Sequence, residues 1–299
     1  MKAAVDSVTW DSGASGRGYA HTAIMTLSDG QLAGDMRRLG VVAGDVLMIH
    51  ASLRRLGPVE GGANGVISAL DQAVGSKGTL LMVLGARDDV SWVNERPEDE
   101  RPGLLAGTPP FDHRITPADP DVGVLAEVFR VYPGTKVNDH PEARFAARGR
   151  LSEALIVSPP WDHYYGRGSP LERLVEADGK VLRIGADPDT VTLIHYAEYL
   201  ADVPDKRRVL RHRMVLEDES PVIKTVSALD DSQGIVDYPG KDYFIDILAE
   251  FLAAGSAVIG HVGQARSELF RAVDLVRFAT DWMNRNLLRS VNRADPTPI

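Results

Sequence analysis

The 299-residue sequence contains no cysteine, which excludes a disulfide framework, a thiolate zinc site and a thiol nucleophile. It also lacks any long apolar run. Stretches such as Gly78 to Gly85 fall far short of the roughly 18 residues that span a bilayer. Met1 to Ile24 is interrupted by Asp6, Asp11, glycines and His21, so no signal peptide is expected there. The expectation is a cytoplasmic protein with a flexible extension at 1–24 and a flexible tail at 291–299. A positive surplus is missing as well. Thirty-three Lys and Arg stand against 42 Asp and Glu, a formal charge of −9, which argues against general affinity for nucleic acid or an anionic membrane. A cationic ligand suits that balance. What remains is an ordinary globular composition, 44% hydrophobic, with enough apolar mass for a sizeable core.

The periodicities describe an α/β chain. Ser28 followed three residues later by Gln31 forms a capping-box pattern ahead of Leu32, Met36 and Leu39, and Gly40 ends that helix. Asp45 to His50 is short and apolar enough for a buried strand, and a glycine-rich loop follows it. A helix over Ala63 to Val74 leads through Gly75-Ser76-Lys77-Gly78 into a strand at Thr79 to Leu84. Such a strand-helix-strand unit implies a parallel pair. The polar stretch from Arg87 to Pro120 reads as a long loop. Helical periodicity returns at Gly123 to Val131, and a strand and helix follow at Val181 to Ile184 and Val191 to Leu200. Antiparallel strands are expected from Arg208 to Val226 around Glu217-Asp218-Glu219. A helix at Tyr243 to Ala253, a strand at Ala257 to His261 and a helix around Ala272 to Met283 complete the pattern.

Two segments carry candidate chemistry. Val191, Ile194, His195 and Glu198 occupy one helical stripe, so an imidazole and a carboxylate three residues apart share a half-buried face. That pair suits a general base acting on an amine. The other reading of the same spacing is a surface ion pair, with Tyr196 and Tyr199 forming the core side. The loop from Ala51 to Gly62 places Arg54, Arg55 and many bare amides at the end of a parallel strand, where open α/β sheets bind ligands. Amides and guanidinium groups fit a pyrophosphate such as that of coenzyme A, although a turn with exposed arginines has the same pattern. Lys206-Arg207-Arg208, with Arg211 and Arg213, reads as a solvated edge in preference to a 3′-phosphate contact. No G-x-S-x-G elbow is present. The eight histidines show no H-E-x-x-H and no close pair, so no metal is expected, and His113, His163, His212 and His261 read as structural or surface residues.

Several motifs in one order resemble the antibiotic N-acetyltransferase family, to which the aminoglycoside 3-N-acetyltransferases belong. They are Ile49-His50-Ala51-Ser52-Leu53-Arg54 with Leu56-Gly57-Pro58, the turn Gly75 to Leu80, and Pro110-Phe111-Asp112 ahead of Gly123 to Glu127. His140-Pro141-Glu142-Ala143, Tyr165 to Leu171, Thr192 to Glu198 and Gly263 to Arg266 continue the series. The chain departs from many relatives at Arg144, where a serine is common, and at Gly85-Ala86.

The resemblance implies a single large α/β domain over 25–290, with a mixed, partly parallel central sheet flanked by helices. This differs from the commonest acetyltransferase fold, whose Arg/Gln-x-x-Gly-x-Gly/Ala loop is absent here. It implies acetyl-coenzyme A as donor and an aminoglycoside as acceptor, attacked through the 3-amino group of a 2-deoxystreptamine ring, and leaves a homodimer open as the assembly. It implies a catalytic role for His195, with Glu198 and Asp231 as nearby carboxylates. Ser52, Leu53, Arg54 and Gly57 would form the coenzyme loop, with His140 and Ser169 at its rim. An acceptor carrying several ammonium groups calls for carboxylates from more than one loop. The candidates are Asp88, Asp112, Asp230 and Asp231, with Tyr165 offering a hydroxyl or a flat face. Two other readings are a non-catalytic protein binding coenzyme A or a cation, and a hydrolase with a metal at His195 and Glu198.

Overall fold

The computed structural model describes residues 26–85, 91–239 and 242–287. Asp88, the extension at 1–24 and the tail at 291–299 lie outside them. The strands are β1 (Val46–Ala51), β2 (Thr79–Val83), β3 (Lys136–Val137), β4 (Phe145–Gly149), β5 (Lys180–Ile184), β6 (Arg208–Glu217), β7 (Ser220–Leu229), β8 (Val258–Val262) and β9 (Ala265–Arg271). Seven of them form one sheet in the order β3-β4-β2-β1-β5-β9-β8, while β6 and β7 pair separately as a hairpin. At the centre β1 runs parallel to β2 and to β5, and the outer pairings are antiparallel. The sheet is therefore mixed and partly parallel, as the sequence suggested.

Side chains alternate across each strand, and this sorts the core into two layers. Leu47 and Ile49 of β1, Leu80 and Met82 of β2 and Leu182 and Ile184 of β5 face helices Asp29–Leu39, Gly62–Val74 and Val124–Val131. Val46 and Met48, Leu81 and Val181 face the other way, onto helices Pro170–Glu176, Ile194–Leu200, Tyr243–Ala253 and Ala272–Asn286. The first helix opens on the expected capping box. Ser28 Oγ accepts from the Gln31 amide at 3.2 Å, and Gln31 Oε1 accepts from the Ser28 amide at 2.9 Å. Gly40 closes it in the left-handed region, at φ 112°.

Strands β3, β4 and β9 and the helices Leu53–Leu56, Ser152–Leu155 and Pro170–Glu176 went unread. β4 is Phe-Ala-Ala-Arg-Gly, whose alanines and glycine are weak strand formers, and its pairing with β2 imposes the strand. β9 carries Arg266 and Glu268, which suggest solvent, yet Glu268 is fully buried between Arg183 and Arg266. The polar stretch after β2 also holds more structure than a loop. It forms a 3₁₀ turn at Ser91–Glu95 and a short helix at Arg101–Leu105. Val93 and Leu105 pack on Met214 of β6, Asn94 Oδ1 accepts from the His212 amide at 2.8 Å, and Arg101 donates to the Leu210 carbonyl at 3.0 Å. Arg144 anchors its far end. Its fully buried guanidinium donates to the carbonyls of Pro117, His113 and Thr116 at 2.8, 3.0 and 2.5 Å.

Candidate active site

Parallel β2, β1 and β5 all end on one side of the sheet, where backbone groups turn outward and loops diverge. Gly185, at φ +59°, turns the chain after β5; a Cβ there would meet the Ala265 and Arg55 Cβ atoms at 3.0 Å. The chain then climbs through Pro188–Thr190 into helix Ile194–Leu200, which presents His195 over the strand ends.

His195 and Glu198 form the pair that their spacing suggested. His195 Nδ1 lies 2.7 Å from Glu198 Oε2, and Glu198 is 1% exposed. The Tyr243 hydroxyl donates to the other carboxylate oxygen while accepting from the Ile235 amide at 3.1 Å. Glu198 is thus fixed at both oxygens, and its acceptor-only carboxylate places the imidazole proton on Nδ1. The neutral ring then carries its lone pair on Nε2, the arrangement of a general base. Tyr165 stacks on the imidazole with ring centroids 5.0 Å apart and planes 9° from parallel, and Phe244 closes the other side at 4.8 Å. Burial works against a charge on His195, but the Glu198 carboxylate, with smaller help from Asp231 and Asp242, outweighs it and raises the pKa above 6.5.

His195 is a wall of two cavities. One, of about 560 Å³, is lined by Ser52, Leu53 and Arg54 after β1, Gly85 after β2, Gly123 to Leu125 and Thr192. Gly85 takes φ +55° here, and a Cβ would meet the Asp119 Cβ at 2.8 Å. Arg55 is folded back onto Gly185 O at 2.6 Å and Asp187 at 2.7 Å. Arg54 finds no ion pair among the described residues. Helix Val124–Val131 begins at this cavity, adding first-turn amides that suit an anion, a contribution that sequence reading missed. Gly57 does not line the cavity; it packs on Gln264, which a Cβ there would meet at 2.7 Å.

The second cavity, of about 270 Å³, is lined by Asp189, His195, Glu198, Asp231, Asp242 and the segment Ser232 to Gly234. Among these carboxylates only Glu198 and Asp231 stood out in the sequence. Asp231 accepts from Arg211 Nη2 at 2.5 Å and from the Tyr164 hydroxyl at 2.8 Å. Burial opposes its charge, yet the Arg211 guanidinium prevails and holds the carboxyl below its ordinary value. Asp189 and Asp242 were missed, since one sits in a loop and the other caps a helix by accepting from the Phe244 amide at 2.9 Å.

Several expected site residues lie elsewhere. Asp112 chelates Arg114 and lines a different cavity. Asp230 caps its own turn, accepting from the Ser232 and Gln233 amides at 3.0 and 2.9 Å. Ser169 is fully buried as the N-cap of helix Pro170–Glu176, accepting from the Glu172 amide at 3.2 Å. His140 is buried between Trp161 and Tyr164, with Nδ1 accepting from the Glu142 and Ala143 amides. Neither reaches the Ser52 loop, because each side chain is used by its own turn. Tyr165 offers its face and not its hydroxyl, which points to the Glu142 carbonyl at 3.5 Å. The reading of Arg211 and Arg213 as a solvated edge is corrected, since both turn inward onto Glu142 and Arg211 also holds Asp231. No cluster of three or more potential metal ligands occurs among the described residues.

The chain matches the family model described as aminoglycoside 3-N-acetyltransferase over residues 48–284. Aminoglycoside N(3)-acetyltransferase VII of Streptomyces paromomycinus is 37% identical over 278 residues, covering 89% of this chain and 96% of that protein. Among solved structures, sisomicin-bound AAC-VIa matches with a TM-score of 0.82 at 36% identity, covering 87% of this chain and 98% of that one. The binary complex of AAC-IIIb with CoASH matches with a TM-score of 0.81 at 34% identity, covering 92% and 100%.

Proposed function

This chain belongs to the aminoglycoside 3-N-acetyltransferase family, and from that premise we propose that His195 is the general base of an acetyl transfer between its two cavities. The activity is acetyl-coenzyme A-dependent N-acetylation of aminoglycosides, a resistance chemistry. In this reading the larger cavity takes the coenzyme, with Ser52 to Arg54, at the start of the short helix Leu53–Leu56, and the amides at Gly123 to Leu125 toward its phosphates. The smaller cavity takes the acceptor, whose ammonium groups face Asp189, Asp231 and Asp242.

The observation that carries the proposal is the placement of one imidazole, with its lone pair on Nε2, in the wall of both cavities. An amine cannot attack while it holds its extra proton, and the bound acceptor gives that proton to solvent. On attack, nitrogen bonds to the thioester carbon and His195 takes the proton that nitrogen loses. The C–S bond then breaks, and His195 returns the proton to the departing sulfur, leaving amide and coenzyme thiol. A positioned base of this kind contributes about 10²- to 10⁴-fold in rate. Glu198 keeps the proton on Nδ1 and stabilises the imidazolium that forms.

The absence of cysteine makes coenzyme release easy to follow with a thiol reagent. With gentamicin, kanamycin, neomycin and apramycin as acceptors, thiol appears in step with mono-acetylated product, and the modified nitrogen is N3. A protein that binds coenzyme and acceptor but releases no thiol with any of the four would contradict the proposal and identify a binder.

A further inference from the structure

The site described so far has a base for the amine proton, but no group has been given to the oxygen that becomes negative when the amine adds to the thioester. We propose that His50 fills that place, donating a ring N–H to the acetyl carbonyl oxygen as charge develops there. The proposal rests on the acetyl-transfer reading and adds a second catalytic residue to it.

His50 lies near the carboxyl end of β1, the strand flanked on both sides by parallel partners. Alternation puts it on the face of Val46 and Met48, the face that also packs against the helix carrying His195. It lines the larger cavity together with Tyr165, Thr192 and His195. The residue is 7% exposed, and its Nε2 has no hydrogen-bond partner among the described residues. A buried polar atom without a partner is uncommon and costly, and at a reaction site it marks a position for substrate.

The surroundings also fix the charge state. Arg183 stands opposite His50 in the β1–β5 register. It is held 2.9 Å from Glu268, which Arg266 braces at 2.8 Å from its other side, and it donates to the Ala186 carbonyl. Burial, reinforced by this guanidinium, pushes the His50 pKa down to about 4. The ring is neutral at working pH, which gives it one N–H to donate and no proton to lose. In the transfer, the π pair of the carbonyl moves onto oxygen as the amine nitrogen bonds to carbon, and that oxygen accepts a hydrogen bond from the His50 N–H. The pair returns as the C–S bond breaks. Because the donor is in place beforehand, it acts more strongly on the developing oxyanion than on the ground-state carbonyl.

The test uses His50→Ala, His50→Gln and His50→Phe, assayed by thiol release, by coenzyme titration and by thermal melting. Loss of one oxyanion donor lowers kcat by about 10²- to 10³-fold. The Ala and Phe variants are expected to show that loss, with coenzyme Kd and acceptor KM within about threefold of wild type. Gln, which keeps an N–H, recovers at least about tenfold of it. Phe preserves the ring's volume and keeps the test valid should Ala fail to fold. Two outcomes overturn the role of His50 alone: Ala or Phe turning over within about threefold of active wild type, or kcat and coenzyme affinity falling together with Gln no better than Phe. Wild-type enzyme that releases no thiol overturns the transfer reading, and the role of His50 with it.

Discussion

The two cavities that meet at His195 are built differently. The larger is made at the carboxyl ends of three adjacent strands, and it sets the first-turn amides of helix Val124–Val131 and the guanidinium of Arg54, which has no ion pair among the described residues, beside four aspartates, Asp119, Asp121, Asp187 and Asp189. The smaller is assembled from two stretches distant in sequence, 189–198 and 231–244, and four of its lining residues are carboxylates, Asp189, Glu198, Asp231 and Asp242. The first combines positive dipoles and a guanidinium with carboxylates, whereas the second is lined by carboxylates with no Lys or Arg among the described residues, which suits a cation. On the reading proposed above, one imidazole between them separates donor recognition from acceptor recognition, and substitutions confined to one side are expected to have separable effects.

The largest departure is expected at the junction itself. In Glu198→Gln the side-chain amide can donate to Nδ1, which moves the imidazole proton to Nε2 and removes the base, as in the Ser-His-Asp template. A fall in kcat on the order of 10²-fold or more is expected by steady-state thiol release. The pH profile of kcat/KM sharpens this. The raised pKa of His195 means that the base is lost on acidification at a limb above 6.5 in the free enzyme. Without Glu198, burial dominates and the limb moves below 6.5. Linkage has the same sign: stability from the charged pair is complete below about 6.5 and is lost as pH rises through the folded-state value.

Next come the carboxylates. Asp242→Asn preserves the helix cap, since Asn caps as well as Asp, and removes only the charge. Acceptor KM should rise by about tenfold and coenzyme Kd should stay put. Asp189 lines both cavities, so Asp189→Asn should raise acceptor KM and also shift coenzyme Kd, with all these effects shrinking as salt screens them. Asp231→Asn also removes one of the two carboxylates that pair with Arg211, so it lowers the melting temperature as well as weakening acceptor binding. An unchanged acceptor KM in both Asp242→Asn and Asp189→Asn at low salt would break the division between the cavities. The smallest effect belongs to Arg54→Ala. Its side chain is exposed, and an exposed charge contact contributes up to about fivefold in coenzyme Kd, with acceptor KM unaffected.

This contrast also explains what the sequence revealed. The His195–Glu198 pair was legible because i,i+3 geometry on a helix is local, and the Ser52 to Arg54 segment because strand, glycine loop and helix occur in succession. The acidic cavity was not, because Asp189, Asp231 and Asp242 converge only after the helices at 194–200 and 243–253 pack on one sheet face. Asp112 and Asp230 looked equivalent to them, yet aspartate serves turns as readily as ligands, and both are used locally. One available signal was overlooked. Arg211, Arg213 and Val215 share a face of β6, and a valine continuing the arginine face was the one hint that this face is covered. Arg144 offered no such signal, since its carbonyl acceptors at 113, 116 and 117 are set by the path of a loop.

The central claim, that His195 performs chemistry for two independently formed sites, is tested most directly by His195→Ala with binding and turnover measured on the same preparation. Calorimetric titration should give coenzyme and aminoglycoside affinities within about threefold of wild type, while thiol release falls by about 10²- to 10⁴-fold. Turnover near the wild-type rate, or loss of coenzyme binding in parallel with activity, would contradict it.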